Sequence, residues 1–242
     1  MDRFDRATGY AENGNVNNSK LLEKAKVVED LLKSILPLHK VDSILIAGCG
    51  KGDEAIAFQK VFKQFVTGID ISLPKSKVVN NDRLNLLNAD LNKLPFVDNR
   101  FSFIYCYHVL EHVDNPELVL QELRRVLTNE GVIFIGFPNR LRLVPSYFSS
   151  NLRIGIFKIL KYNIRDYWYK IIGRFKNEYG AHAGFSEKEF LKLASPLFNK
   201  VMPIRDKWID CYYSKYHTIF KIAKRLKIEE IIYPSNYYLL QI

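Results

Sequence analysis

Residues 44–52 read Ile-Leu-Ile-Ala-Gly-Cys-Gly-Lys-Gly, an apolar run that ends in three alternating glycines. A second apolar run ends in Asp70, 18 residues after Gly52. Glycines at such a turn let the backbone bend sharply and approach a ligand closely, and an acid at the later position can accept hydrogen bonds from two ribose hydroxyls. This spacing predicts a site for a cofactor that contains a nucleoside.

The residues that follow the glycines discriminate between such cofactors. A dinucleotide site carries G-x-G-x-x-G and a free helix N-terminus that faces a pyrophosphate. Here the third glycine, Gly52, comes one residue early, and Asp53 and Glu54 occupy the expected first helical turn. Two carboxylates there would repel a diphosphate but would tolerate a cation. The pattern therefore disfavours NAD and FAD and favours S-adenosylmethionine, which carries an ammonium and a sulfonium.

Strand-like and helix-like segments alternate through the next hundred residues. Strands are predicted at 84–87, 101–107 and 132–137, and a helix is predicted from Pro116 to about Leu127, with Gly131 after its end. This alternation predicts an α/β fold with a parallel, doubly wound sheet. Ligands of such sheets bind beyond the carboxyl ends of the strands, which is where the glycines and Asp70 would lie.

Residues 41–140 resemble the class I S-adenosylmethionine-dependent methyltransferases, in particular the small-molecule group related to the ubiquinone-biosynthesis methyltransferases. The matching pieces are residues 48–52, Asp70, Asp90 before residues 94–96, residues 110–113, and Gly131. The resemblance implies a Rossmann-like sheet with a C-terminal antiparallel hairpin edge, formed by residues 201–205 and 237–242. It also implies S-adenosylmethionine as cofactor and methyl transfer as the reaction.

The resemblance further implies a cofactor contact for each residue at the strand ends. Asp70 would accept from the ribose hydroxyls, and Asp90 would accept from the adenine amino group. Two apolar side chains would lie beside the adenine ring, Ile71 and Leu91. The backbone of the glycine-rich loop would wrap the methionine and ribose portions: Gly48, Cys49, Gly50 and Gly52.

Tyr107 and His108 would flank the methionine end of the cofactor and the reactive methyl group, since the resemblance places them at the end of a central strand. An aromatic face attracts a sulfonium by a cation–π interaction, and Tyr107 is also a candidate base. His108 and His112 lie four residues apart, a spacing that a metal site on a helix could use. No third ligand is evident and Glu111 is expected to point elsewhere, so no metal is predicted.

Two positions depart from the pattern of this family. Ile46 stands two residues before the first glycine, where the family has an acid that helps to hold the methionine amine. We expect Asp53 or Glu54 to take over that task. Ser102 stands where the family has an aspartate in the strand at 101–107, which we expect to matter less. The change at Ile46 leaves a non-catalytic cofactor-binding or scaffold protein as an alternative function.

Length and composition indicate one domain over residues 1–242, which the resemblance implies is a methyltransferase domain. Three separated cysteines suggest neither disulfides nor a zinc site. No signal segment or membrane-spanning run is evident, so a cytoplasmic protein is expected, with peripheral contact at the inner membrane face as a further expectation. The divisions are an N-terminal cover and helix at 1–36, a cofactor-binding core at 41–140, a basic aromatic insertion or acceptor lid at 141–185, and a C-terminal helix with the last strands at 186–242.

Charge distinguishes the two parts of the chain. Residues 1–140 are neutral overall, so the net charge of +10 lies entirely in residues 141–242. Within the insertion, apolar residues recur at helical spacing: Ile156, Leu160, Ile164, Trp168, Ile171 and Phe175. This pattern predicts either a basic helix that lies at a membrane surface or a lid that covers the acceptor pocket with its charges toward water.

The basic charge also bears on the acceptor. We rank an anionic small molecule first, in the form of a glycan or lipid-linked intermediate, ahead of a free anionic metabolite. RNA, such as tRNA, is the alternative acceptor. His182, in the resemblance, is the candidate general base or acceptor-positioning residue. Candidate acceptor contacts are Asn139, Arg140 and Tyr10, and Ser186 with Glu189 predicts a capping box at the next helix.

Overall fold

The computed structural model describes residues 18–34, 41–142, 164–165, 167–169, 171–174, 184–213 and 217–242. The predictions for Tyr10 and His182 therefore lie outside the described residues, as does most of the insertion. In the described part of the chain, no helix is both long enough and apolar enough to cross a bilayer.

The described residues form an eight-stranded sheet of order β3-β4-β2-β1-β5-β6-β8-β7. Strands β4, β2, β1, β5 and β6 run parallel, whereas β3, at one edge, is antiparallel to β4, and β8 is antiparallel to both β6 and β7. Their bounds are β1 (Ser43–Ala47), β2 (Phe65–Asp70), β3 (Val79–Asn80), β4 (Leu84–Asn88), β5 (Phe101–Tyr107), β6 (Leu127–Pro138), β7 (Lys200–Pro203) and β8 (Ser235–Gln241). The predicted α/β fold with a doubly wound, Rossmann-like sheet is confirmed.

Seven α-helices with described bounds accompany the strands, besides helical residues at 164–165, 167–169 and 171. The seven are α1 (Asn18–Lys33), α2 (Asp53–Phe62), α3 (Pro116–Val126), α4 (Glu187–Ala194), α5 (Arg205–Tyr212), α6 (His217–Arg225) and α7 (Glu229–Ile232). Pro116 opens α3, and the Asn115 side chain accepts from the backbone N–H of Leu118, so that end carries both a favourable first residue and a cap. The capping box of Ser186 and Glu189 at the start of α4 is confirmed.

The central strand β1 is buried on both faces, because each face meets a layer of helices. Ile44 and Ile46 pack in an apolar cluster with residues of α1, α2 and α5. Leu45 and Ala47 point to the opposite face and pack with residues of α3 and α4. This alternation, with period two along the strand, explains why β1 is a continuous apolar run in the sequence.

The structure corrects two details of the expected topology. Gly131 does not end the helix before it, since α3 stops at Val126 and β6 already begins at Leu127, which pairs with Phe101 of β5. A register shift between Phe101 and Phe103 accommodates this early pairing. The last two strands pair antiparallel, as expected, but helices α5, α6 and α7 separate them along the chain.

Ser102 joins the beginnings of β1 and β5. Its Oγ accepts from the backbone N–H groups of Asp42 and Ser43, at 3.0 and 3.1 Å, and donates to Oδ1 of Asp42 at 2.9 Å. The hydroxyls of Ser43 and Ser102 hydrogen-bond the Asp42 carboxylate and lower its pKa. Asp42 thus supplies a carboxylate beside the position at which the family has its aspartate.

We expect Ser102→Ala to lower the free energy of unfolding by about 1–3 kcal/mol, because it leaves the buried backbone N–H of Ser43 without its side-chain acceptor. Denaturant unfolding measures the change. Ser195→Ala is the matched control, since Ser195 is exposed at the end of α4, and it should change stability by less than about 0.5 kcal/mol. Equal effects of the two substitutions would contradict the assignment.

Candidate active site

The glycine-rich loop after β1 is held by hydrogen bonds to β2. Gly48, Gly50 and Gly52 all have positive φ, at 77°, 56° and 91°. The backbone N–H groups of Gly48 and Cys49 both donate to the carbonyl of Ile69, at 2.8 and 2.9 Å. The turn therefore leaves the sheet at a fixed angle, in a backbone conformation that glycine adopts readily.

Packing around the loop differs from one glycine to the next. A Cβ atom at Gly48 would lie 2.3 Å from Cγ2 of Val109, so the loop packs tightly against the segment that follows β5. A Cβ atom at Gly50 would meet nothing within 4 Å among the described residues. The loop thus leaves space beside Gly50 that a ligand could approach, which fits the predicted role of its backbone.

Asp70, at the carboxyl end of β2, is tied to this loop. Its Oδ2 accepts from the N–H of Gly50 at 2.8 Å, and its Oδ1 accepts from the N–H of Ser72 at 2.7 Å. The next residue, Ile71, is 70% exposed. A fixed carboxylate beside an exposed apolar side chain is a suitable arrangement for a ribose and its base.

The other pair of predicted adenine contacts lies after β4. Asp90 is exposed, and its Oδ1 accepts from the backbone N–H and the side-chain amide of Asn92, both at 2.9 Å. Leu91 is buried in the apolar cluster beneath the loop. The roles of Asp90 and Leu91 at the adenine stay predictions.

Tyr107, at the end of β5, meets a cation that sequence reasoning missed. The ammonium of Lys24, on α1, lies 4.2 Å from the centre of the Tyr107 ring and 2.9 Å from Oε1 of Glu54. This is the kind of cation–aromatic contact that we predicted for the sulfonium. Lys24 was detectable, because it interrupts the apolar face of α1 formed by Leu21, Ala25 and Val28 and their neighbours.

The structure does not support Tyr107 as a base. Burial raises the pKa of its phenol well above the usual value, so the hydroxyl stays protonated at neutral pH. The raised pKa disfavours Tyr107 as a base, and its catalytic role stays a prediction.

His108 follows Tyr107 with a φ of 56°, which few residues other than glycine adopt. The centres of the His108 and Tyr107 rings lie 4.3 Å apart, and Nε2 of His108 lies 3.4 Å from the hydroxyl of Ser235. Burial lowers the pKa of His108, and the nearby charge of Lys24 lowers it further. At neutral pH the imidazole is therefore uncharged.

Our expectation for Glu111 was wrong. Its side chain is buried, and Oε1 lies 3.5 Å from Nδ1 of His108 and 3.8 Å from Nε2 of His112. The short 3-10 helix at Leu110–His112 turns Glu111 back between the two histidines. Among the described residues, no group of three or more His, Cys, Asp or Glu side chains is arranged to hold a metal ion.

Asn139 and Arg140 have structural roles, and their predicted contact with the acceptor stays a prediction. The Asn139 side chain is buried, donates to the carbonyls of Glu230 and Tyr233, and accepts from the N–H of Leu141. Arg140 donates to the carbonyl of Gly184 and pairs with the Glu189 carboxylate. Both residues hold the segment after β6 against the C-terminal region, a long-range arrangement that no local pattern reveals.

The described part of the insertion exposes its apolar stripe. Ile164, Trp168 and Ile171 are each more than half exposed. Arg142, at the start of the insertion, is instead buried, and its guanidinium donates to the carbonyl of Asn139. The exposed side chains disfavour a lid whose apolar face covers a pocket at these three positions, while Ile156, Leu160 and Phe175 lie outside the described residues.

A surface pocket lies near the β7 edge of the sheet, on the side where the parallel strands have their carboxyl ends. Pro203, Arg205, Asn236 and Tyr238 are among the residues that line it, between the start of α5 and strand β8. Strands β5 and β6 separate β8 from β1, so this pocket is not part of the loop region.

Comparisons with known proteins agree with this geometry. Residues 45–135 match the profile of a family described as a methyltransferase domain. The chain is 32% identical over 139 residues to 27-O-demethylrifamycin SV methyltransferase of Amycolatopsis mediterranei. The aligned stretch covers 54% of this chain and 50% of that protein. It is 36% identical over 142 residues to an uncharacterized protein of Methanocaldococcus jannaschii, which covers 58% of this chain and 63% of that one.

A solved structure shares the fold over a longer stretch. The plantazolicin methyltransferase BpumL, in complex with SAH, has a TM-score of 0.58 and 17% identity, and the match covers 97% of this chain and 88% of that one. Residues 45–135 therefore resemble a methyltransferase domain, and the solved structure shares its fold, in agreement with the predicted class I methyltransferase fold. The chain spans about half the length of the curated relatives that it matches, and the relation to the ubiquinone-biosynthesis group stays a prediction.

Proposed function

We propose that this protein is an enzyme that transfers a methyl group from S-adenosylmethionine to a small-molecule acceptor. The observation that carries the proposal is the open glycine-rich loop, whose Gly50 is tied to the carboxylate of Asp70. The family match at residues 45–135 supports the same reaction.

The residues present fit this cofactor. Asp70 is held by Gly50 and Ser72, yet it stays partly exposed, so its carboxylate oxygens can accept from ribose hydroxyls without reorienting. Ile71 offers an exposed apolar surface to the adenine, and the positive end of the cofactor would lie toward Tyr107 and His108. When bound, S-adenosylmethionine supplies an electrophilic methyl group on a positively charged sulfur.

The protein's own task in such a transfer is alignment, since in-line substitution requires the acceptor, methyl and sulfur to be collinear. His108 lies at the end of β5, uncharged, with Nε2 close to the Ser235 hydroxyl, so it can position an acceptor, whereas its lowered pKa makes it a weak proton acceptor. His182 remains the second candidate for the base, outside the described residues.

We infer that the acceptor is anionic, in the form of a glycan or lipid-linked intermediate. The support is the net charge of +10 in residues 141–242 and the exposed Trp168 and Ile171. Cations beside exposed apolar side chains favour contact with an anionic membrane surface, where a lipid-linked acceptor would lie.

Ile71→Ser should weaken the binding of S-adenosylhomocysteine by about tenfold, because it removes apolar surface from the adenine side of the site. Calorimetric titration measures the affinity. Val97→Ser is the matched control, since Val97 is 72% exposed against 70% for Ile71, and it should leave the affinity unchanged. Unchanged affinity in Ile71→Ser would reject the placement of the adenine.

The unmodified protein should co-sediment with vesicles that contain phosphatidylserine and not with vesicles of phosphatidylcholine alone, because anionic lipid attracts the basic region. Replacing Trp168 and Ile171 with serine should reduce the bound fraction several-fold. Val97→Ser, also exposed and apolar, is the control and should bind as the unmodified protein does. No sedimentation with the anionic vesicles would exclude the membrane-surface function.

A further inference from the structure

A largely buried ion pair joins α1 to the first turn of α2. Lys24 Nζ lies 2.9 Å from Glu54 Oε1, and the two side chains are only 13% and 16% exposed. Lysine and glutamate are rarely buried unless they are paired, because their charges lose most of their hydration. The fold therefore tolerates two charges here by placing them against each other.

The ion pair faces the end of the site where the methionine portion of the cofactor is expected. Glu54 comes two residues after Gly52, and Lys24 lies over the ring of Tyr107 at the end of β5. The charge of Lys24 also acts on His108, which follows Tyr107. The two charges thus lie between the glycine-rich loop and the end of β5.

Asp53, the other acid of that turn, is placed differently. Its carboxylate is 41% exposed and lies 3.8 Å from the ammonium of Lys77. Ile46, where the family has an acid, is fully buried and apolar. Of the three positions considered for holding the methionine amine, Glu54 is therefore the one with a largely buried carboxylate, and it pairs with the ammonium that lies over the Tyr107 ring.

The methionine end of S-adenosylmethionine carries an ammonium and a carboxylate on the same carbon. An ion pair in the protein can meet such a zwitterion so that each charge lies next to an opposite one. In a poorly hydrated site, the attractions within this alternating set of four charges offset much of the lost hydration free energy. A single unmatched charge beside either pair would leave more of that loss without compensation.

We propose that Lys24 and Glu54 together bind the zwitterionic methionine end of the cofactor. Glu54 accepts hydrogen bonds from the ligand's ammonium, and Lys24 donates to its carboxylate. This assignment rests on the proposed function. The ion pair would take the place of the acid that the family has at the position of Ile46. Its lysine, Lys24, comes from α1.

A purely structural role would be the simple alternative, in which the ion pair only fastens α1 to α2. The two roles differ in what they recognise. Methylthioadenosine has the adenosine and the sulfur of the cofactor but no amino acid end, so a zwitterion-binding pair cannot act on it. S-adenosylhomocysteine has the complete amino acid end.

The test compares the affinities of these two ligands, by calorimetry, for the double variant Lys24→Met with Glu54→Gln. The double variant is chosen because either single substitution would leave one buried charge without its partner and could unfold the protein. The control variant carries Lys26→Met and Glu23→Gln, the same two kinds of substitution at exposed side chains of α1. Thermal unfolding checks that both variants are folded.

We expect the double variant to bind S-adenosylhomocysteine at least about tenfold more weakly and methylthioadenosine within about twofold of the unmodified protein, with the control unchanged for both. Equal weakening for both ligands, or none for either, would overturn the assignment. Unmodified protein that binds methylthioadenosine as tightly as S-adenosylhomocysteine would also overturn it and leave the proposed function standing. Unmodified protein that binds neither ligand would overturn the proposed function and the assignment together.

Discussion

The parallel pairing of β1 with β2 on one side and β5 on the other is the constraint on which the candidate site depends. Ala47 pairs with Ile69 and with Cys106, so the three strands end at nearly the same level. The residues that follow them, including Gly48 and Asp70, must therefore leave the sheet together. Two hydrogen bonds to the carbonyl of Ile69 then fix the loop, and the carboxylate of Asp70 holds Gly50.

The face of the sheet that α1 covers gives this site its charge. Tyr105 and Tyr107 stack in parallel on that face, with ring centres 5.8 Å apart, beneath the helices. Surroundings of this kind keep water away from Lys24 and Glu54 and strengthen the attraction between them. The helix α1 is thus more than a cover for the core, because it brings a cation to the end of β5 that the sheet itself does not supply.

Sequence reasoning succeeded where local geometry decides the outcome. The bounds of β5, the turn at the three glycines and the position of Asp70 at the end of β2 follow from short-range patterns, whereas the start of β6 does not. It failed where distant segments meet. Asn139 donates to carbonyls some ninety residues away. Sequence reasoning failed locally too, at Glu111, whose carboxylate lies near His108 and His112 in a short 3-10 helix.

Hydrogen–deuterium exchange, with and without S-adenosylhomocysteine, tests most directly whether the strand ends form the cofactor site. Slower exchange with the ligand at residues 48–52 and 70–73 is the predicted result, because those amides border the open side of the loop. Absence of protection there, or protection confined to the pocket between α5 and β8, would contradict the account.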